Sequence, residues 1–349
     1  MTHRERVLCA INHEQPDRTP TDFQAVAEVW DRLFDHFNTK DMKTVLDTLE
    51  IDCAWVDPEV SRKPSEKDED GLIIGWGGSK IRSVQNSTGV HDDIVHFATT
   101  GIDTVDEMEA ALALPDIDEY DFTKITDACE RYTDRFLLGG FASIFYYPTL
   151  VRSMQDILTD MVLNEELARY LFKRCFDWHY EYHKRLLEAG KGRIDAMQLA
   201  DDYCTQLDLL MSLEMFRKYF RGPMEEYIAL AKSYGAIPML HCCGAAYNII
   251  PDFIDMGIKI LDPVQTVCRN MEPERLKAKF GDKITFHGGG ETQHILPGGT
   301  TDDVRKNAKM LSGTLGNNGG YIMSSCHIMQ SDVPLENVLA FYELENRYV

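Results

Sequence analysis

The chain predicts an α/β fold, a single (β/α)₈ TIM barrel, and three observations carry that reading. From about residue 136 to the C-terminus, short apolar runs alternate with helical patterns, the signature of successive βα units around a parallel sheet. Two more apolar runs lie upstream and bring the strand count to the eight that closes such a barrel. Residues able to do chemistry cluster just after these runs, on the face where such barrels build their sites. At 349 residues one large domain is long enough to bury a sizeable core, and no internal repeat or low-complexity linker divides it. Residues 1–349 are therefore read as one domain.

Taken in order, the strand candidates are Thr21 to Val26, Cys53 to Val56, Phe136 to Phe141, Ala196 to Asp201, Ile237 to His241, Ile260 to Val264, Ile284 to His287 and Gly320 to Ser324. Helical stretches separate the later ones: Ser212 to Tyr234, Ala246 to Met256, Glu272 to Phe280 and Thr301 to Leu315. Ser212 and Thr300-Thr301-Asp302-Asp303 supply N-cap chemistry and acidic first turns. The segments Arg4 to Asn12 and Ala168 to Leu187 read as helices packed outside the barrel. Residues 61 to 100 break the rhythm. Ser61-Arg62-Lys63-Pro64 and a charged run precede Gly71 to Gly78 and then Val90 to Phe97, read as a β-hairpin insertion near the barrel mouth.

Composition narrows the function classes. With 36 basic and 57 acidic side chains the net charge is −21, which repels a phosphate backbone and an anionic membrane surface alike, so nucleic acid and membrane are not expected as partners. No apolar run approaches a bilayer span, and Met1 to Arg6 lacks the apolar core of a signal peptide. Nine cysteines without a small-domain framework fit a reducing cytoplasm, where the thiols are free for other work. A doubly wound dinucleotide fold would also alternate strands and helices, but no Gly-x-Gly-x-x-Gly follows an early strand. Gly288-Gly289-Gly290 lacks the remaining features of that fingerprint. It reads either as a sharp backbone turn or as a place of close ligand approach.

The two runs ending in His241-Cys242-Cys243-Gly244 and Ser325-Cys326-His327 carry the strongest functional signal. Strand alternation puts His241 and Cys243 on one side and Cys242 on the other. His241, Cys243 and Cys326 are then the natural ligand set for Zn²⁺, with a fourth position left for substrate or water. Against this stands the ordinary behaviour of buried free cysteines, which are mostly inert. Neighbouring strand ends add Asp201, Asp202, Tyr203, Asp262, Gln265, His287, Glu291, Gln293, His327 and Gln330. Asp202 and Glu291 are the candidate catalytic carboxylates, either accepting a hydrogen bond from His241 to fix its tautomer or serving as a general acid. Tyr203, Gln265 and Gln293 are the candidate cofactor-binding residues.

Together these motifs resemble the uroporphyrinogen decarboxylase superfamily and, within it, the corrinoid-linked zinc methyltransferases. The resemblance runs from Arg4-Glu5-Arg6-Val7 and Pro16 to Pro20, through Asp201-Asp202-Tyr203, the His241 block, Asp262 to Gln265 and Gly288 to Gln293, to Gln330 to Asn337. It implies a distorted barrel with a deep central cleft. The decarboxylases carry an arginine-rich segment after the first strand, and Thr21-Asp22-Phe23-Gln24-Ala25 has none. The methylcobalamin:coenzyme M methyltransferases hold zinc through His-x-Cys and a later Cys, matching His241, Cys243 and Cys326. The implied activity is methyl transfer between a cobalamin (corrinoid), free or on a small corrinoid-binding partner protein, and a small thiol acceptor or methoxy or other methylated donor. Two alternatives are a decarboxylase of the tetrapyrrole type and a non-catalytic corrinoid- or tetrapyrrole-binding module.

Overall fold

A computed structural model of the chain describes residues 1–57, 59–60, 67–86 and 89–348, so the Ser61 to Pro64 part of the expected insertion lies outside the described residues. Its centre is a curled sheet of seven parallel strands in the order β1, β7, β8, β9, β10, β11, β12. These are β1 (Cys53–Trp55), β7 (Phe136–Ala142), β8 (Ala196–Ala200), β9 (Ile237–His241), β10 (Ile260–Val264), β11 (Thr285–Gly290) and β12 (Tyr321–Ser325). The short strands β2 (Glu59–Val60) and β6 (Tyr120–Asp121) pair with each other, and β3 (Ile73–Ile74), β4 (Lys80–Asn86) and β5 (Gly89–His96) form a separate antiparallel sheet. The hairpin was expected between Gly71 to Gly78 and Val90 to Phe97, whereas β5 pairs with β4, Lys80–Asn86, and only Ile73–Ile74 of the first run joins this sheet.

Seven of the eight expected strands form, each within a few residues of its expected bounds. The exception is Thr21 to Val26. It makes only two isolated bridges, Thr21 to Met323 and Ala25 to Met329. The carbonyl of Thr21 also accepts from the N–H groups of Asp52 and Cys53, while the Pro20 carbonyl and the Asp22 N–H bond to Met323, so residues 20–22 bond to both sheet edges, β1 and β12. These scattered backbone bonds, with Val26 and Gln24 bonded to Met329, do not extend into a continuous ladder, and the Asp22 side chain, engaged by Trp55 and His287, adds a further anchor.

Strand alternation divides the apolar residues into two clusters. Phe136, Leu138, Ala196, Met239, Ile260 and Ile322 form the smaller one on the inner face. Their neighbours Leu137, Met197, Leu240, Leu261 and Phe286 point outward into the larger cluster under the helices. The N-terminal helix, His3–Ile11, departs from its expected place outside the barrel: Val7 is fully buried in the inner cluster with Leu8 and Ile11 against it. An apolar stripe of three side chains on one short helix is enough to plug the N-terminal end of the sheet. A buried Asp52 holds it there, accepting from Arg6, Arg18, His3 and the Thr21 N–H.

The helices follow their sequence signals closely. Thr300 and Asp303 form a reciprocal capping box at Thr301–Leu315, and Ser212 accepts from the Met215 N–H at the start of Leu213–Phe216. The expected single helix to Tyr234 passes through a π turn at Arg217–Arg221 before Gly222–Ser233, because Pro223 cannot donate an N–H into the ladder. The glycine run after His287 serves packing. Gly288 has φ +97°, and a Cβ there would lie 3.0 Å from the Pro263 side chain. Among the described residues no helix is long and apolar enough to cross a membrane.

The long helix Glu165–Gly190 buries two imidazoles, and they set an acid limit on the fold. The Phe141 N–H donates to Nε2 of His183 at 2.8 Å, while Nδ1 donates to the His179 carbonyl at 2.6 Å, so only the neutral ring satisfies both. Burial lowers the His183 pKa from 6.5 to about 4 and pushes His179 well below its usual value. The unfolded chain therefore takes up protons first as pH falls. Stability held above pH ~6.5 should decline toward pH ~4 by about 3 kcal/mol for His183 alone. Urea unfolding between pH 7.5 and 4.5 measures this, and His179→Phe should flatten part of the slope.

Candidate metal and substrate site

Register brings the site together. Across β9 and β10 His241 lies opposite Asp262, and His287 of β11 follows Phe286, which pairs with Leu261. The inner-face positions next to apolar Ala196, Met239 and Ile260 are Gln198, His241 and Asp262, so the same parity that builds the inner cluster turns polar at the strands' C-terminal ends. Asp262 sits between the imidazoles, its Oδ2 2.7 Å from Nδ1 of His241 and its Oδ1 2.7 Å from Nδ1 of His287. Gln198 Nε2 donates to Oδ2 at 2.9 Å. The other ring nitrogen of His287 is 3.2 Å from Asp22, which also accepts from Trp55 Nε1 at 3.0 Å.

The electrostatics follow from this network. Burial alone would neutralise Asp262, but the His287 and His241 charges and their hydrogen bonds hold its carboxyl well below the usual carboxylate range. His287 works against its own burial: carboxylates at both nitrogens raise it to about 9, so it is an imidazolium at neutral pH. His241 is also raised, against burial, by Asp262 and by Cys243. With Nδ1–H given to Asp262, Nε2 of His241 points at the Cys243 thiol, 3.4 Å away. That orients a ligand nitrogen.

The ligand atoms of His241, Cys243 and His327 lie within 4.8 Å of one another. Cys326, the third ligand expected from the sequence, is outside that group, and its Sγ sits 3.0 Å from Thr292 Oγ1. It nevertheless lines a cavity of about 460 Å³ together with Cys243, Gln265, Gln293 and His327. His91 of β5 lines it too, so the antiparallel sheet reaches the site. A second, larger cavity of about 670 Å³ is lined by His241, His287, Asp202, Trp55, Phe23 and again His327. The thiols face one space and the His241 ring the other. Burial raises both thiols, so each is deprotonated only against a cation.

The other expected site residues divide by where their polar atoms go. Asp202 Oδ1 accepts from the Cys243 N–H at 2.7 Å and lies 3.9 Å from His241 Nε2, which puts it beside the pair. Gln265 accepts from the Gly244 N–H at 3.0 Å, fixing the turn after the thiol. Gly244 is required there, since with φ +99° a Cβ would stand 2.5 Å from the Thr205 carbonyl. Glu291, expected as a catalytic carboxylate, is bonded to backbone. Its oxygens accept from the N–H groups of Gln293, His294 and Ile295, so the carboxylate closes a turn leading into the helix Ile295–Gly298. Tyr203, expected to bind a cofactor, is fully buried among Phe145, Phe216 and Phe220, with its hydroxyl donating to Asp201. Its side chain packs outward, opposite to the cleft. The acceptor that fixes His241 is Asp262, one strand over, and strand register is what selects it over Asp202 or Glu291. Asp22 and Gln198 were not singled out from the sequence, where neither lies at a strand end.

Fold and site define a parallel α/β protein that gathers imidazole and thiol groups at the C-terminal ends of its strands. A sequence profile for uroporphyrinogen decarboxylase (URO-D) matches residues 90–348, so the chain belongs to that family. Among solved structures, a methyltransferase from Methanosarcina mazei superposes with a TM-score of 0.66 at 17% identity, covering 98% of this chain and 97% of that one. Dispersin B gives a TM-score of 0.43 at 8% identity over 94% of this chain and 98% of its own. No curated protein matches the sequence.

Cys242 is fully buried with its Sγ 4.0 Å from that of Cys204, facing away from the His241 ring. Cys242→Ala should therefore leave the metal content of the purified protein unchanged, and Cys243→Ala should lower it, as read by elemental analysis. Glu291→Gln should cost about 1–2 kcal/mol in unfolding free energy while leaving zinc content unchanged. A loss of metal with intact stability would return Glu291 to the site.

Proposed function

We propose that the protein is a zinc-dependent methyltransferase that moves a methyl group between a corrinoid and a small thiol or methylated substrate. The observation that carries this reading is the His241 and Cys243 pair, with Nε2 and Sγ 3.4 Å apart and the far side of the ring anchored on Asp262. Soft sulfur with imidazole suits Zn²⁺, and a donor set of two or three residues leaves an open position, as catalytic zinc requires. His241 and Cys243 would hold the metal, with Cys326 as the ligand expected from the sequence and His327 as the neighbour within reach of both. Bound there, zinc supplies Lewis acidity that lowers the pKa of a thiol or polarises a methoxy oxygen.

The remaining steps belong to the chain's own groups. Asp262 keeps the Nδ1 proton of His241 in place, leaving Nε2 free to donate its lone pair. Asp202 braces the Cys243 backbone, and Gln265 the Gly244 backbone. The two cavities give the thiols and the imidazole separate approaches, which suits a reaction between a small molecule and a bulky corrinoid. The wall made by residues 21–26 is taken to close the sheet into the barrel that the family resemblance implies. Tetrapyrrole decarboxylation is the less favoured reading: among the described residues no Lys or Arg lines these cavities, and a polycarboxylate would meet Asp57 and Asp202.

With methylcobalamin and a small thiol, the purified protein should convert the methylated cobalt spectrum, and Cys243→Ala should lower the rate at least 100-fold with its fold intact. Asp262→Asn should weaken zinc binding about 10- to 100-fold. Decarboxylation of uroporphyrinogen that persists after zinc removal would overturn the reading.

A further inference from the structure

A small side pocket of about 90 Å³ opens beside the main cleft, sharing Asp57, Phe141 and Tyr182 with it. Its composition differs from that of the thiol site. Tyr120, Tyr147, Trp178 and Tyr182 wall it, and the ring of His179 stands 4.1 Å from that of Tyr147. His179 is only 2% exposed, and neither of its ring nitrogens has a hydrogen-bond partner. A buried imidazole left open at both nitrogens costs free energy unless something occupies the space beside it. Asp57 follows β1 and keeps surface open to both spaces, and among the described residues no lysine or arginine lines either of them.

We propose that this pocket seats a small organic cation, an ammonium group at one end of the substrate, between the Asp57 carboxylate, the His179 ring and the surrounding aromatic faces. The proposal rests on reading the cleft as the substrate site and adds the charge class of what enters it. Several aromatic rings with a carboxylate make an attractive environment for an alkylammonium ion, because ring faces carry negative potential. The neutral His179 ring has an acceptor nitrogen for an N–H of such a group. The volume matches a headgroup of a few heavy atoms rather than a whole substrate, and the shared residues place the rest of the molecule in the cleft that His241 lines.

The test uses binding alone, so failure of methyl transfer does not enter it. The protein is titrated with ethylammonium chloride, ethanol or sodium acetate at constant ionic strength, following ligand NMR line widths and tryptophan fluorescence. Ethylammonium should bind with a millimolar dissociation constant, about the limit for so small a ligand. Ethanol and acetate should bind at least tenfold more weakly. Asp57→Asn and His179→Phe should each weaken ethylammonium binding about tenfold, with folding checked by near-ultraviolet circular dichroism. Equal binding of ethanol or acetate by the wild-type protein overturns the proposal without recourse to any variant, and so does unchanged ethylammonium binding in folded Asp57→Asn.

Discussion

The site depends on one buried carboxylate shared by two imidazoles. Asp262 accepts from His241, His287 and Gln198, which sit on three other strands of the sheet, and so it ties β8, β9, β10 and β11 at the end where chemistry is placed. A single buried ion would be costly, and this one is tolerable because both of its oxygens have donors and a positive imidazolium lies beside it. The arrangement also sets proton positions. His287, held between Asp262 and Asp22, is charged, and His241 is left with one nitrogen committed inward and one aimed outward at a thiol.

The inner face of the sheet is a gradient built by strand parity. At its N-terminal end Val7 of the first helix meets Phe136, Leu138, Met239 and Ile260 in an apolar plug, and one step of two residues further on, the same columns carry Gln198, His241 and Asp262. The plug is anchored by a second buried carboxylate, Asp52, which collects Arg6, Arg18 and His3. Two paired acids at opposite ends thus hold the helix plug and the chemical groups to one scaffold. Asp201 repeats the device on the outside, accepting from Ser143 and from three successive N–H groups of the loop after β7.

The walls of the cleft are aromatic and acidic. Trp30, Trp55 and Tyr146 contribute apolar area, Asp57 and Asp202 contribute carboxylates, and His241 and His287 contribute imidazoles. The lack of lysine and arginine among the described lining residues is what favours a neutral or cationic ligand in the reading proposed above.

Much was legible before any coordinates. The strands at Ile237–His241 and Ile260–Val264 and the helix Thr301–Leu315 are local matters of apolar period and capping, and they lie where the pattern of residues puts them. Parity alone separated Cys243 from Cys242, because alternation is a property of a single strand. What parity cannot supply is a neighbour in another strand. Asp262 as the partner of His241, His327 beside the thiol, and Glu291 turned into a backbone cap all depend on register and on loop closure between residues far apart in sequence. The N-terminal helix shows the same limit, since its amphipathic stripe announces a buried face without saying which surface buries it. Local order follows from the period of the side chains along one segment, whereas the pairing of distant groups is decided only when the whole sheet has chosen its register.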